Sequence, residues 1–286
     1  MSTQTVCDKI HEFTYHFKHI KDIQFDAVPY PLDSHEGIAY LLFVASINQS
    51  CAAENVRDLV HKLHTTLGEN LFYFNQIPEN QQVQIIKTHN TYRWKLSEKL
   101  PRILSSVAEF VQATTKYGGL VERGRNQPDA FTAAEKIATN IYYMGKDPQG
   151  ARKKVWMFMR WMVRPFPDIG VWNPPLKPSD LRIPLDVNTG QAFLDLCIHP
   201  HIQDRMRSEI ISFDKDELGK LKSTAVNMEA VTKVARWFFP DDPACLDYPF
   251  FCYGRRFKAG EDKHRCWNIV KCDKCSFRSL VSCPGK

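Results

Sequence analysis

Apolar residues recur along this chain of 286 residues at intervals of three and four, whereas alternating runs of Val, Ile and Thr are nearly absent. A 3.6-residue period lines such side chains along one helical stripe, and without period-two segments there is no half-buried strand from which to build a sheet. The expected fold class is therefore all-α. At 43% hydrophobic residues the chain can bury a substantial core, as one large domain or two modest ones. Helices are expected over residues 38–47, 53–67, 81–88, 92–116, 130–143, 153–163, 187–196, 215–220 and 228–238. Asp33-Ser34-His35-Glu36 is a capping-like start to the first, and Asn48-Gln49-Ser50 is a polar break before the second.

Two breaks organise the middle of the chain. Gly145-Lys146-Asp147-Pro148-Gln149-Gly150 is a tight Gly/Pro turn between helices, which reads as a helix-hairpin element. Residues 165–184 contain six prolines and no helical period, and are expected to form a long surface loop with a functional role. No signal-peptide pattern and no uninterrupted apolar run of membrane-spanning length occurs, so an intracellular protein without a membrane partner is expected.

Net charge is +6, and its placement says more than its size. Between Tyr253 and Lys286 nine Lys or Arg face three acidic residues, an excess equal to that of the entire chain. A basic terminal lobe on a nearly neutral body is the footprint of a nucleic-acid binder, although a solubilising tail has the same composition. Five of the nine cysteines are scattered, and four crowd into the last 21 residues as Cys266-x5-Cys272-x2-Cys275-x7-Cys283. That pattern disfavours a disulfide framework and favours a reduced compartment with one local metal site. Four thiolates suit tetrahedral zinc or an iron-sulfur cubane, and neither charge nor spacing chooses between them.

After the hairpin, Ala151-Arg152-Lys153-Lys154 leads into a stretch that is apolar on nearly every face, so a buried helix should hold a lysine pair at its N-terminal end. Helix N-termini favour anions and adjacent ammonium groups repel, and both raise the neutral, nucleophilic fraction of an amine. A solvated basic pair holding phosphate or water has the same sequence. Beyond the proline-rich segment, Asp186 stands where it can cap the next helix, a setting that suits a carboxylate stabilising positive charge nearby and equally an ordinary N-cap.

Together these residues resemble the helix-hairpin-helix DNA glycosylases. Gly150-Ala151-Arg152-Lys153 is similar to the Gly-Arg-Lys of the endonuclease III family, and Leu185-Asp186-Val187-Asn188 to its Val-Asp-Thr-His. The Lys153 to Asp186 separation is longer than in that family and resembles the archaeal 8-oxoguanine DNA glycosylases. Ungapped matching favours Lys153 as the nucleophile; the archaeal spacing suits Lys154. Phe43 to Ser50 resembles the segment whose Gln fills the gap left by an extruded base, which makes Gln49 the plug and Asn48 or Ile47 its neighbour. Asp247 and Phe251 keep the spacing of an acidic and an aromatic residue that face the base in the archaeal enzymes. Phe158 on the lysine helix, with Gly150 and Arg152 of the hairpin, completes the expected base and DNA contacts.

The resemblance implies two helical domains, 36–183 with the hairpin and 1–35 plus 184–286 with the cysteine loop, and DNA lying across the cleft between them. It implies a [4Fe-4S] cluster on Cys266, Cys272, Cys275 and Cys283, with zinc as the alternative. The cluster would pin a loop carrying Lys263, Arg265, Lys271, Lys274 and Arg278 against phosphate, each cation adding roughly one unit of salt dependence. It further implies a monomer that excises a damaged base from double-stranded DNA through a lysine Schiff base, with an oxidised purine such as 8-oxoguanine as first choice, followed by strand cleavage as an AP lyase. The alternatives are a non-catalytic DNA-binding protein of the same fold and an iron-sulfur or zinc interaction protein.

Overall fold

The computed structural model describes residues 3–49, 51–90, 97–145, 147–255, 266, 269–281 and 283. Among them the chain is all-α, with twelve α-helices, no strand and two isolated antiparallel bridges. The first six helices are α1 (Thr3–Tyr15), α2 (His35–Ile47), α3 (Ala53–Leu67), α4 (Glu79–His89), α5 (Leu100–Thr115) and α6 (Gly119–Arg125). They are followed by α7 (Ala130–Asn140), α8 (Lys153–Val163), α9 (Val187–Leu196), α10 (Pro200–Ser208), α11 (Ala225–Arg236) and α12 (Asp247–Gly254). No helix among the described residues is long and apolar enough to cross a membrane.

The chain divides into two compact units. One comprises residues 21–146 and 154–180, the other 1–20, 147–153 and 181–286, so the boundary passes between Lys153 and Lys154.

In the unit built around 21–146, α2 is the central helix, buried from Gly37 to Ile47. Ser34 caps it, its hydroxyl accepting from Gly37 N at 3.0 Å. A helix apolar on all sides must be surrounded, and α3, α5 and α6 pack on it. The proline-rich segment is in part the surface expected of it, with Pro165, Phe166, Pro174, Pro175 and Lys177 exposed, but Trp172 and Leu176 are buried in this unit, and Leu181 and Ile183 are buried in the other. Its apolar side chains outweigh its lack of helical period. Trp172 Nε1 donates to Leu120 O at 3.1 Å, and a Cβ on Gly124 would overlap the indole, which leaves glycine as the only fit beneath it.

Two other expectations are corrected. The helix expected over 215–220 is a turn, because the Asp216 carboxylate accepts from Leu218 N and Lys220 N, Gly219 takes φ +74, and Lys215 bridges back to Leu221. The helix expected from residue 92 begins at Leu100, where Pro101 fits the first turn because its missing N–H has no partner to lose there; residues 91–96 lie outside the described residues.

In the other unit α9 and α12 pack closely, and the contact depends on Gly254, where a Cβ would overlap the Asn188 carbonyl oxygen. Tyr253 Oη donates to Asp195 Oδ2 at 2.9 Å across the same pair. Phe277 of the terminal segment is fully buried against Phe13, Phe250 and Tyr253, with centroids 4.8, 5.2 and 5.0 Å away. An aromatic so enclosed contributes about 1.5–3 kcal/mol from burial alone, enough to dock a short segment that has little regular structure of its own.

Candidate functional site

Asp186 is the N-cap of α9. Its Oδ1 accepts from Asn188 N at 2.8 Å and Thr189 N at 2.9 Å, using two of the amides that a helix start leaves unpaired. The second oxygen is directed elsewhere: Lys153 Nζ lies 3.4 Å from Asp186 Oδ2, with side chains 23% and 17% exposed. The pair is therefore half-enclosed and reachable. Asp247, buried at the start of α12, accepts from Thr189 Oγ1 at 3.3 Å, so Thr189 ties it to the helix turn that Asp186 caps. Phe251 follows one turn later, partly exposed, with the Arg255 guanidinium 5.9 Å from its centroid. Lys153, Asp186 and Asp247 are thus grouped within one unit, and Thr189, which periodicity alone could not single out, joins the last two.

The hairpin turn is held by backbone pairing. Ala151 N donates to Ser223 O at 3.2 Å, Ala225 N donates to Gln149 O at 2.8 Å, and Gly150 bridges Thr224. Gly150 N is directed at Asp147 O at 3.3 Å, so the amides of Gly150 and Ala151 serve the turn itself, and an anion there would meet side chains such as Arg152. Arg152, one residue before Lys153, has φ +47 and its Nε donates to Asp147 O at 3.3 Å. A non-glycine residue in the left-handed region is strained, and such strain concentrates where a side chain must be aimed. Lys146 lies outside the described residues.

Lys154 occupies a different environment, within the other unit. It is 6% exposed, its Nζ donates to Ser46 O at 2.8 Å, and the Tyr143 ring centroid lies 4.5 Å from the ammonium. Ser46 belongs to the last turn of α2, after which Asn48 is buried and Gln49 is exposed, while Ile47 is fully buried. Of the three residues around the expected plug, Gln49 alone has its side chain in solvent; Ser50 lies outside the described residues. Phe158 is fully buried, edge-on to Trp172 at 5.6 Å.

Cys266 is buried, and Cys272, Cys275 and Cys283 are partly exposed. Burial pushes the Cys266 thiol up, and the nearby Cys275, Cys252, Cys283 and Cys272 push the same way. Cys275 is also raised, by burial first, with Cys283 and Cys272 adding to it against hydrogen bonds from the Arg278 and Phe277 amides. Cys266 is thus within electrostatic reach of the other three, and Cys275 of Cys272 and Cys283. Among the described residues no three His, Cys, Asp or Glu side chains are arranged to grip one ion. The donor set itself, four soft thiols that would each be stabilised as thiolate by a metal, fits a four-thiolate group. The segment is tied down by Ser276 Oγ, which donates to Lys9 O at 2.9 Å, and by Lys9 Nζ, which donates to Ser279 Oγ at 2.6 Å. Lys271, Lys274 and Arg278 are exposed; Lys263 and Arg265 lie outside the described residues.

One family model, described as a protein of unknown function (DUF2400), matches residues 26–256, a span that includes Lys153, Asp186 and Asp247 and ends before Cys266. None of the curated proteins matches the chain.

Proposed function

We propose that this chain, which belongs to the DUF2400 family, is a DNA glycosylase with AP lyase activity that acts on a damaged base in double-stranded DNA through a Schiff base on Lys153. The observation that carries the reading is the Lys153 Nζ to Asp186 Oδ2 distance of 3.4 Å, with Asp186 fixed by its two backbone amides. A primary amine beside a rigid carboxylate is the pairing that attack at a sugar anomeric carbon requires. The ammonium proton leaves with the departing base as the C1′–N bond breaks, and the freed amine forms the new bond to C1′. The Asp186 carboxylate faces the positive charge that develops on the sugar. One proton of the resulting secondary ammonium passes to O4′ as the C1′–O4′ bond opens to an iminium, which acidifies the C2′ proton; its loss to water, with breaking of the C3′–O bond to the 3′ phosphate, cleaves the strand. Asp247 and Phe251 are the proposed contacts to the base, and an oxidised purine is the proposed lesion.

The chemistry of the donors supports a [4Fe-4S] cluster on Cys266, Cys272, Cys275 and Cys283, which would cross-link the terminal segment. The residues' own part is to hold Lys271, Lys274 and Arg278 at the surface, where cations meet phosphate.

Borohydride trapping tests the reading. Purified protein is incubated with duplexes containing 8-oxoguanine, thymine glycol or an abasic site, beside Lys153→Gln, Lys154→Gln and Asp186→Asn variants. A covalent adduct lost in Lys153→Gln and kept in Lys154→Gln is expected. No adduct on any duplex, with DNA binding retained, would leave a non-catalytic DNA-binding protein as the better account.

A further inference from the structure

We propose that Lys154 is a positioning residue whose ammonium fixes the Asn48–Gln49 turn, so that two adjacent lysines divide the work: Lys153 for the sugar, Lys154 for the segment that enters the duplex. The inference rests on the glycosylase reading for its use, but on geometry for its substance.

A lysine that is 6% exposed must find partners for its charge or lose it. Lys154 has two of the right kind. The Ser46 carbonyl accepts from Nζ at 2.8 Å, and it belongs to the last turn of α2, where helix carbonyls lack intrahelical donors and the dipole presents its negative end. The ring of Tyr143 lies 4.5 Å from the same ammonium, close enough for a cation–π contact. Tyr143 reaches that position at the expense of φ +66, an unfavourable backbone for an aromatic residue, and a second ammonium, that of Lys99, lies 4.6 Å from the same ring. Nothing about packing alone requires a charged residue here, since methionine fills the same volume.

The carbonyl that Lys154 holds is three residues before Gln49. Between them the chain leaves the helix by two short backbone bonds, Asn48 N to Ala45 O at 3.2 Å and Gln49 N to Ile47 O at 2.8 Å, and Gln49 emerges exposed. A side chain inserted into a duplex must resist the restacking of the bases around it, which needs a stiff base to its turn. The Lys154 ammonium supplies that stiffness from below. Because Ser46, Tyr143, Lys154 and Gln49 all belong to one unit, the device is complete within it.

The test has one arm without DNA and one with it. In the first, hydrogen exchange of the Asn48 and Gln49 amides is compared between the full-length protein and Lys154→Met. Loss of a charged donor should raise their exchange by about tenfold or more. Tyr143→Gly, which accepts φ +66 but removes the ring, should raise it by a smaller factor, and it serves in place of Lys154→Met should that variant fail to fold. Unchanged exchange in the folded variants overturns the proposal. In the second arm, duplexes with 2-aminopurine beside 8-oxoguanine report base extrusion. Lys154→Met and Gln49→Ala should each weaken the signal, and the double variant should be no worse than either alone, since both remove one device. Borohydride adduct on abasic DNA, where no base needs extruding, should persist in Lys154→Met; its loss, with Lys153 intact, would make Lys154 the nucleophile and overturn the assignment. If the unaltered protein gives neither extrusion nor adduct, the glycosylase reading is what fails, and the exchange arm decides the role of Lys154 by itself.

Discussion

Arg160 Nη2 lies 2.5 Å from Asp22 Oδ2, with side chains 3% and 10% exposed. Trp161 Nε1 donates to the same oxygen at 3.0 Å, and Asp168 lies 3.5 Å from Arg160 and 2.5 Å from Arg164. Two carboxylates and two guanidinium groups thus close a buried network that joins α8 to the residues before α2 and to the start of the proline-rich segment. Removing one member leaves its partners charged and dry. Asp22→Ala should therefore lower unfolding stability by about 3–5 kcal/mol, read from urea denaturation. A loss under about 1 kcal/mol would mean that water replaces the carboxylate at no great cost and that the network does not anchor α8.

Asp129 caps α7, its Oδ1 accepting from Thr132 N at 2.7 Å. The Thr132 amide holds this carboxyl below its ordinary value of 3.8. A depressed folded value means that the unfolded chain takes up the proton first, so the stabilisation is complete above pH 3.8 and fades as pH falls through the folded value. Asp129→Ala should cost about 1 kcal/mol at neutral pH, and the difference from the unaltered protein should shrink steadily as denaturation is repeated toward pH 3. A gap that stays constant with pH would remove the carboxylate cap as its cause.

Gly254→Ala isolates a purely steric requirement. The added Cβ meets the Asn188 carbonyl oxygen, a backbone atom on the first turn of α9 that cannot rotate away. Separation of α9 from α12 should lower stability by about 1–3 kcal/mol or more. If Lys153 and Asp186 act together as proposed, the variant should also slow adduct formation at a temperature where it remains folded, because Asp186 caps the displaced turn. Unaltered stability would show that α12 shifts at little cost.

Much of the fold was legible because long periodic segments such as residues 53–67, 153–163 and 187–196 carry their own boundaries; these three have the bounds that periodicity assigns. Short helices did not announce themselves. At seven residues α6 completes too few turns to show a period, and α10 is largely polar. The Asp216 turn was missed for a different reason: Lys-Asp-Glu-Leu has good helical composition, and only a side chain bonding back to two amides reverses it. At the proposed site, motif order singles out Lys153, Asp186 and Gln49, whereas the different surroundings of Lys153 and Lys154 have no counterpart in the sequence. Neighbours in sequence, they differ in what surrounds them, and only coordinates put one beside a carboxylate and the other beneath a carbonyl. Thr189 and Tyr143 likewise carry no sequence signal, since their importance lies in whom they touch.

The terminal cysteines make the most exposed claim. Burial and the neighbouring cysteines raise the Cys266 thiol, a proximity without metal that only disfavours its thiolate, whereas a metal would turn that proximity into bonds. Protein prepared without oxygen should be brown and contain about four iron and four sulfide per chain; about one zinc in a colourless protein would select the alternative. Replacing Cys272 and Cys275 with Ala should empty the site and free the segment carrying Lys271, Lys274 and Arg278. DNA affinity should then fall, and the slope of log affinity against log salt should lessen by about three, one unit for each cation no longer held against phosphate. The slope separates this from a general loss of stability, which would weaken binding at every salt concentration alike. Finding neither iron nor zinc in the unaltered protein would end the metal assignment and leave Phe277, packed against Phe13 and Phe250, as the main anchor of the segment.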